Sequence, residues 1–314
     1  MADFSRRSFL RRAGAAGAGA PALSALLQAG SNGTLPKRVL GRTRRQVSIL
    51  AFGGGSRFLM YKDEQEALAV LDRALDLGIT YIDTAFSYGQ GQSEQRVGKG
   101  LGARRKDVFL ATKMPDRDYD GLMRRLEASL QRLQTDHVDL LHIHGLGLAD
   151  DLEKIEKQGG MKALYKAREQ KMALAIGVSC HQDGAVLKQC IERHDLDCVQ
   201  MALNASRNNQ FEELALPAAN RKNLGVIAMK VTAQEKLVGQ GSGRASIEDL
   251  LRYSLSLPVS AAVVGMPRRE FLEQNVAIAG AFRPLSPAEM DRVNRQVAAS
   301  QVAVERFFST HADA

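Results

Sequence analysis

The sequence predicts an α/β protein: a single (β/α)₈ (TIM) barrel with an N-terminal β-hairpin and an extra helix towards the C-terminus. Eight short runs of strand-forming residues alternate with amphipathic stretches whose apolar residues recur at spacings of three and four. The runs fall within about 230 residues, the usual extent of a closed barrel. The glycines of Phe52-Gly53-Gly54-Gly55-Ser56 lack the GxGxxG spacing of an open dinucleotide-binding sheet, which disfavours the alternative of a doubly wound fold.

Length and composition fit one such domain, which we place at residues 35–314. The chain has 314 residues, of which 45% are hydrophobic and 25% charged, as in globular proteins with a large core. Its net charge of +8 suits anionic ligands such as phosphates, but the chain lacks a dense basic stripe with interleaved aromatic residues, so we expect no nucleic-acid partner. No run of about 18 strongly apolar residues occurs, so no stable membrane span is expected. Cys180, Cys190 and Cys198 form no CxxC motif and are predicted to be free, buried thiols.

Residues 1–30 are predicted to be a targeting segment rather than part of the fold. Ser5-Arg6-Arg7-Ser8-Phe9-Leu10-Arg11 matches a twin-arginine (Tat) signal, and a weakly apolar Ala/Gly stretch follows from Ala13 to Ala29. The pattern predicts the Tat export machinery as a partner and a periplasmic or otherwise exported protein. The alternative is an Arg-rich tail on a cytoplasmic protein. Because the Tat route carries folded proteins, often with a cofactor bound, the segment also indicates a cofactor.

The elements of the barrel follow in a regular order. Lys37–Leu40 and Gln46–Ser48 are predicted to form a β-hairpin around the turn Gly41-Arg42-Thr43. The predicted barrel strands are Ser48–Phe52, Tyr81–Asp83, Val108–Thr112, Val138–His144, Leu174–Ser179, Cys198–Met201, Val226–Met229 and Ala261–Val264. The predicted helices are Glu64–Leu77, Tyr119–Leu133, Leu152–Glu169, Ala185–Arg193, Ile247–Leu257 and a last helix, Pro287–Phe308.

Four polar side chains fall where predicted strands end, which is the position of catalytic groups in this type of barrel. Asp83 ends the apolar run Tyr81-Ile82-Asp83, and Tyr88 follows in a loop of small residues. Lys113 closes the third strand and His144 the fourth. A Lys at the end of a buried strand is costly unless it is paired, and Asp83 is the available anion. Taken alone, Asp83 and Tyr88 are explained equally well as functional residues or as a strand end followed by a surface Tyr. The four residues together favour the functional interpretation, because their chemistry is complementary.

The four residue types suit proton transfer at a carbonyl oxygen. The pKa of an unperturbed Tyr is ~10, so Tyr is a poor acid or base at neutral pH. A nearby Lys⁺ favours the tyrosinate and lowers that pKa. Asp83 holds the Lys side chain in place and offsets part of its positive charge. His144 can donate a hydrogen bond to a bound carbonyl oxygen and orient it, and Tyr88 can protonate this oxygen as a hydride reaches the carbon.

In order and context, these residues resemble the catalytic tetrad of the aldo-keto reductase superfamily. The matching features are the Asp83-x4-Tyr88 loop, Lys113 before Met-Pro, and His144 at the end of Asp-Leu-Leu-His-Ile-His. The resemblance spans Leu35 to Phe308. It implies an oxidoreductase that reduces a small-molecule aldehyde or ketone to an alcohol with a nicotinamide cofactor and no metal. NADP(H) is the favoured cofactor and NAD(H) the alternative.

The resemblance also implies a set of cofactor-binding residues. Ser179 and Gln200, at the ends of the fifth and sixth strands, match residues that bind the nicotinamide carboxamide. Arg268 is the candidate for a 2′-phosphate, because a guanidinium is a fixed fork of donors. The full set is Gly54, Ser179, Cys180, Gln200, Met229, Lys230, Gly265, Arg268, Gln274 and Asn275.

Four positions depart from the family pattern. Cys180 stands where Asn is usual, and Gly145 follows His144 where an aromatic residue is common. Met229-Lys230 replaces an aromatic-Ser pair whose ring usually stacks on the nicotinamide, although Met is soft enough to pack there. Phe271 occupies a position where some relatives carry a second phosphate-binding Arg, which weakens the expectation of NADP over NAD.

Two other functions stay open. Relatives of this fold include cofactor-binding subunits that sense the nicotinamide redox state or serve a partner and have little turnover. The replacement of the stacking aromatic residue by Met229 is compatible with such a function. A metal-dependent barrel hydrolase is the more remote alternative. His142 and His144 share one face of a strand and His181 follows the next strand. However, the sixth and eighth strands end in Gln200 and Gly265 rather than in metal ligands.

Overall fold

The computed structural model describes residues 35–309 and is a closed barrel of eight parallel strands, preceded by a two-stranded antiparallel hairpin. The hairpin strands are β1 (Lys37–Val39) and β2 (Gln46–Ser48). The barrel strands are β3 (Leu50–Gly53), β4 (Tyr81–Asp83), β5 (Phe109–Met114), β6 (Val138–Leu146), β7 (Ala173–Cys180), β8 (Cys198–Ala202), β9 (Gly225–Met229) and β10 (Ala261–Val264). They pair in chain order, and β10 pairs with β3 to close the barrel. The predicted (β/α)₈ barrel with its N-terminal hairpin is therefore confirmed.

Helices connect the strands and cover the outside of the barrel. Their bounds are α1 (Glu64–Asp76), α2 (Gln92–Leu101), α3 (Tyr119–Leu133), α4 (Ala149–Gln158), α5 (Gly160–Glu169), α6 (Gly184–Arg193), α7 (Leu216–Arg221), α8 (Ile247–Ser256), α9 (Arg269–Gly280), α10 (Pro287–Val297) and α11 (Gln301–Ser309). The prediction of one helix over Leu152–Glu169 is wrong, because Gly159 has a φ of 90° and separates α4 from α5. The predicted last helix is likewise divided by the 3₁₀ turn Ala298–Ser300.

Two predicted segments extend beyond the described residues. The twin-arginine segment at residues 1–30 lies outside them, as do the last five residues of the predicted domain, 310–314. Between residues 35 and 309, no helix is both long and apolar enough to cross a membrane.

Local chemistry explains where helices begin. The carboxylate of Asp63 accepts a hydrogen bond from the backbone N–H of Glu66, at 2.9 Å, and caps α1. Asp118 caps α3 in the same way, with 2.7 Å between its Oδ1 and the backbone nitrogen of Gly121. Each cap satisfies an N–H group that has no partner inside its helix. Both helices begin at the predicted residues, Glu64 and Tyr119.

The barrel interior is apolar at the amino-terminal end of the strands. The hairpin contributes Leu40 and Val47, and Tyr81 meets Phe109 edge to face with 5.1 Å between ring centroids. The inner apolar cluster consists of Leu40, Val47, Ala51, Tyr81, Phe109, Ala111, Leu140, Ala175, Cys198, Ile227 and Ala261. A second, larger cluster lies between the strands and the helices. Polar side chains inside the barrel are thereby concentrated towards the carboxyl ends of the strands. All three cysteines are buried and free, as predicted.

A strained loop follows β8 and leads into a π-helical turn, Phe211–Ala215, which holds the partly buried carboxylate of Glu212. Arg207, Asn209 and Gln210 have φ values between 50° and 58°, a region that non-glycine residues rarely adopt. Glu212 accepts hydrogen bonds from the Tyr253 hydroxyl at 3.1 and 3.3 Å. Burial raises the pKa of Glu212 to about 7, while Tyr253 and Arg207 partly oppose this shift.

The stability of the protein should therefore depend on the protonation of Glu212. Because the folded-state pKa of about 7 is above the ordinary value of 4.5, the protonated carboxyl stabilises the fold. This contribution is complete below pH 4.5 and is lost as the pH rises to about 7. It amounts to about 3 kcal/mol. We expect urea unfolding of Glu212→Gln to lack this part of the pH dependence, since the amide stays neutral. Identical pH dependence in wild type and variant would exclude the assignment.

Candidate active site

The predicted catalytic side chains Asp83, Tyr88 and Lys113 meet at the carboxyl end of the barrel. The Lys113 ammonium donates hydrogen bonds to Asp83 Oδ2 at 2.6 Å, to the Thr84 carbonyl at 3.0 Å and to the Tyr88 hydroxyl at 3.2 Å. Strand register explains why the side chains of Asp83 and Lys113 are adjacent. Asp83 pairs with Ala111 across β4 and β5, so Lys113, two residues further along, points to the same interior face.

Burial makes this ion pair costly in free energy unless both charges are compensated. Lys113 is fully buried and Asp83 is 1% exposed. A buried charge without partners costs several kcal/mol, so the ammonium is tolerated because three oxygens surround it. It also lies 4.9 Å from the centroid of the Tyr88 ring. The Tyr88 hydroxyl consequently lies beside a fixed positive charge in a water-poor environment, where electrostatic interactions are strong.

His144 completes the group of four. It is 6% exposed, and its ring meets the Tyr88 ring edge to face with centroids 5.5 Å apart. Its Nδ1 forms a 3.3 Å hydrogen bond with the Ser87 hydroxyl. Ser87 was not among the predicted site residues; its place one residue before Tyr88 was the available signal.

The segment between Asp83 and Tyr88 is fastened to its surroundings. The backbone nitrogen of Gly54 donates to the Asp83 carbonyl at 2.7 Å, and the Gly54 carbonyl accepts from the Ser93 hydroxyl at 2.7 Å. A Cβ at Gly54 would lie 2.8 Å from both the Asp83 carbonyl and the Ser93 hydroxyl. The structure thus places Gly54, a predicted cofactor-binding residue, where it lets the loop after β3 approach Asp83.

Arg117 joins the ends of β5 and β6 and was not predicted as a site residue. Its guanidinium donates to the carbonyls of Pro115, His144 and Gly145, at 3.0, 2.8 and 2.9 Å. It also binds both carboxylate oxygens of Asp151, at 2.9 and 2.8 Å. These bonds fix the backbone at His144. A lone Arg in a loop carries no sequence signal for such a role.

Three predicted cofactor residues lie at neighbouring strand ends. Ser179, Gln200 and Met229, in β7, β8 and β9, are all buried. The Ser179 hydroxyl accepts a hydrogen bond from the Gly145 nitrogen at 2.9 Å. Within residues 35–309, Gln200 Oε1 has no hydrogen-bond partner. Lys230 follows Met229 with a φ of 56°.

Cys180 lies apart from these residues. Successive side chains of β7 point to opposite faces, so Ser179 faces the barrel interior whereas Cys180 lies in the apolar cluster outside the strands. Its thiol contacts the Leu146 carbonyl at 3.2 Å, and burial raises its pKa to about 11. The thiol is therefore a packed, protonated group.

The remaining predicted cofactor residues surround the start of α9. Gly265 and Arg268 are exposed and Gln274 is half-buried. Asn275 is 3% exposed, and in the described part of the chain its Oδ1 has no partner. The Arg268 guanidinium lies 6.0 Å from the centroid of the Phe271 ring. Arg57, whose side chain lies against Gly265, forms a 2.8 Å ion pair with Glu235 that joins the loops after β3 and β9.

His142, His144 and His181, the histidines of the metal alternative, are not grouped as metal ligands in the described part of the chain. Over residues 35–309, no group of three or more His, Cys, Asp or Glu side chains is placed to hold a metal ion. His142 is fully buried inside the barrel. Burial, reinforced by Lys113 and His144, lowers its pKa well below the usual value. His142 is therefore a neutral core residue.

The carboxyl end of the barrel thus holds a tyrosine hydroxyl against a buried lysine–aspartate pair, with a histidine beside it, an arrangement suited to acid–base chemistry. The sequence model of the Aldo/keto reductase family matches residues 50–249, and the chain belongs to this family.

Curated proteins and solved structures agree with this membership. An uncharacterized oxidoreductase of Bacillus subtilis, YqkF, is 26% identical over an alignment of 292 residues, and the match covers 79% of this chain and 92% of the relative. A second, YrpG, is 31% identical over an alignment of 230 residues, and the match covers 64% of this chain and 68% of the relative. The holo form of an aldo-keto reductase from Bacillus halodurans superposes with a TM-score of 0.72 at 26% identity, covering 84% of this chain and 97% of that structure.

Proposed function

We propose that the protein reduces an aldehyde or ketone to an alcohol with a nicotinamide cofactor and that Tyr88 is its general acid/base. The observation that carries the proposal is the 3.2 Å contact between the Tyr88 hydroxyl and the buried Lys113 ammonium. A protein that only binds a cofactor gains nothing from placing a cation beside a phenol. The test is turnover that depends on Tyr88.

Each residue of the site has a separate task in this reaction. When bound, the nicotinamide supplies the hydride that reaches the carbonyl carbon. Tyr88 donates its proton to the carbonyl oxygen, and the Lys113 ammonium stabilises the negative charge left on the phenol oxygen. Asp83 holds Lys113 in place through the 2.6 Å ion pair. His144 is placed to donate a hydrogen bond to the substrate oxygen and to orient it towards Tyr88.

Two buried polar atoms support the predicted cofactor site. Gln200 Oε1 and Asn275 Oδ1 are buried acceptors without partners among residues 35–309, and such atoms are costly unless a donor meets them. A nicotinamide carboxamide and an adenine amino group are donors of the right kind. The N-terminus of α9, which starts at Arg269, adds a favourable dipole for phosphate.

We further propose that NADP(H) is preferred over NAD(H), with Arg268 contacting the 2′-phosphate. Arg268→Ala is then expected to weaken NADPH binding about 10- to 100-fold, because a charge-assisted hydrogen bond is lost. NADH binding should change little. Cofactor titrations measure both. Arg269→Ala is the matched control, since Arg269 is engaged with Glu273 at 3.1 Å. Equal weakening of NADPH and NADH in Arg268→Ala would remove it from the phosphate site.

The N-terminal segment supports a proposal about location. Arg6 and Arg7 stand in a pattern that the Tat machinery reads, so we propose that the folded protein is exported with its cofactor tightly held. Cell fractionation of wild type and an Arg6→Lys/Arg7→Lys variant tests this. We expect the variant to stay in the cytoplasm and the wild type to be exported. Identical distributions of the two proteins would contradict export by this route. A cofactor that exchanges rapidly in the exported protein would contradict tight cofactor binding.

A further inference from the structure

Phe86 lies in the short segment between Asp83 and Tyr88, and two guanidinium groups lie against its half-buried ring. The Arg125 guanidinium carbon is 4.1 Å from the ring centroid and that of Arg132 is 5.2 Å from it. Both distances are within the range in which a cation is attracted by the face of an aromatic ring.

Both guanidinium groups are themselves held in place. Arg125 binds the two carboxylate oxygens of Asp116. Arg132 binds Glu94 Oε2 at 2.7 Å and donates to the Ser129 hydroxyl, also at 2.7 Å. Because guanidinium groups with two or more hydrogen bonds keep one orientation, Arg125 and Arg132 contact Phe86 as a fixed pair, which we call the clamp, rather than as two mobile surface charges.

The clamp is connected to the strand that carries Lys113. Glu94 is fully buried, and its second oxygen accepts a hydrogen bond from the Thr112 hydroxyl at 2.6 Å. The backbone nitrogen of Phe86 donates to the Lys113 carbonyl at 3.2 Å. Phe86 is therefore tied to β5 both through its own backbone and through the clamp.

The segment that Phe86 anchors contacts two members of the catalytic group, Lys113 and His144, and leads directly into a third, Tyr88. The Thr84 carbonyl accepts from the Lys113 ammonium at 3.0 Å, and the Ser87 hydroxyl bonds to His144 Nδ1 at 3.3 Å. Tyr88 itself follows one residue later. A shift of the Phe86 backbone would consequently move Tyr88 relative to both Lys113 and His144.

We propose that Phe86, held by its contacts with Arg125 and Arg132, is a positioning residue that keeps the Tyr88 hydroxyl beside the Lys113 ammonium. The proposal rests on the proposed catalytic role of Tyr88. Phe86 touches neither the substrate nor the reacting atoms. It acts from the outside of the barrel, through the backbone of residues 84–88.

Phe86→Leu removes the aromatic ring while keeping an apolar side chain. Because misplacement of a reacting group by about 1 Å can cost up to 100-fold in rate, we expect kcat to fall about 10-fold. The cofactor dissociation constant should stay unchanged. The alkaline limb of the pH profile of reduction should move to higher pH, because a more distant ammonium favours the tyrosinate less. Phe86→Tyr, which keeps the aromatic face, should retain kcat.

A matched control exists on the opposite side of the molecule. Phe282 is also partly buried, and the Arg38 guanidinium lies 5.3 Å from its ring centroid. Arg38 belongs to the hairpin, far from Tyr88 in the fold. Phe282→Leu therefore removes a similar cation–ring contact and should leave both kcat and the pH profile unchanged.

A second measurement does not need turnover. The tyrosinate absorbance of the wild type minus that of Tyr88→Phe reports the titration of Tyr88, and we expect this titration at higher pH in the Phe86→Leu background. If Phe86→Leu does not fold, Arg125→Met removes the nearer guanidinium and should shift the same quantities in the same direction. Unchanged kcat and an unchanged Tyr88 titration in the folded variant would overturn the proposal, as would equal effects of Phe282→Leu. Full activity of Tyr88→Phe would instead overturn the proposed function.

Discussion

Tyr88→Phe is expected to lower kcat for carbonyl reduction by about 10³-fold, the scale of general acid catalysis. The substitution removes only the hydroxyl that contacts Lys113, while the ring can keep its edge contact with His144. Cofactor affinity should therefore stay within about two-fold of the wild-type value, since the lost group acts on the substrate oxygen. Steady-state kinetics and a fluorescence titration of the same preparation measure the two quantities.

Tyr165→Phe is the matched control for this variant. The Tyr165 hydroxyl bonds to His194 Nδ1 at 3.1 Å on the outer helices, so its removal also deletes a tyrosine hydrogen bond but leaves the site intact. Turnover by Tyr165→Phe should equal that of the wild type. Turnover by Tyr88→Phe at the wild-type rate would contradict the role of Tyr88.

Lys113→Met is expected to destabilise the protein by about 3–5 kcal/mol, because Asp83 would be left buried without its cation. Adding Asp83→Leu removes the stranded charge as well. The double variant should therefore recover much of the lost stability, since replacing both members of a buried pair by apolar groups is often tolerated. It should remain inactive, because Tyr88 would lack the ammonium. Urea unfolding and kinetic assays of the three proteins separate the two effects.

An exposed ion pair provides the comparison. Lys157 and Glu153 are 3.1 Å apart on α4, and both side chains are more than half exposed, so Lys157→Met should leave stability and activity almost unchanged. An active double variant would show that the buried pair is structural only. A Lys113→Met protein as stable as the wild type would show that Asp83 does not need Lys113.

Strand positions were predicted well from the sequence because each strand is a short apolar run ended by a polar or small residue. Tyr81–Asp83 and Ala261–Val264 match the structure residue for residue. Helix α2 escaped prediction because its sequence, Gln92–Leu101, contains two glycines and few apolar residues. Its stability comes instead from burial of Val97 and Leu101 against the rest of the fold, while the buried Glu94 is compensated by Thr112 and Arg132.

The alternation of side chains along the strands determined how much of the site could be predicted from the sequence. The four residues proposed to be catalytic could be grouped from the sequence because strand ends meet at one edge of a parallel barrel, and the structure brings Asp83, Tyr88 and Lys113 into hydrogen-bond contact. Cys180 follows Ser179 in sequence, but the pleat turns it to the outer face. Phe86 and Arg117 could not be assigned, since their partners come from segments distant in sequence.

The most direct measurement is a titration of the purified protein with NADPH and with NADH, followed by carbonyl-dependent oxidation of the reduced cofactor by wild type and Tyr88→Phe. We expect binding, and turnover that is lost with the Tyr88 hydroxyl. Binding with turnover that is absent or indifferent to Tyr88 would contradict the reductase and favour a cofactor-sensing subunit. Failure to bind either nucleotide would contradict the proposed function altogether.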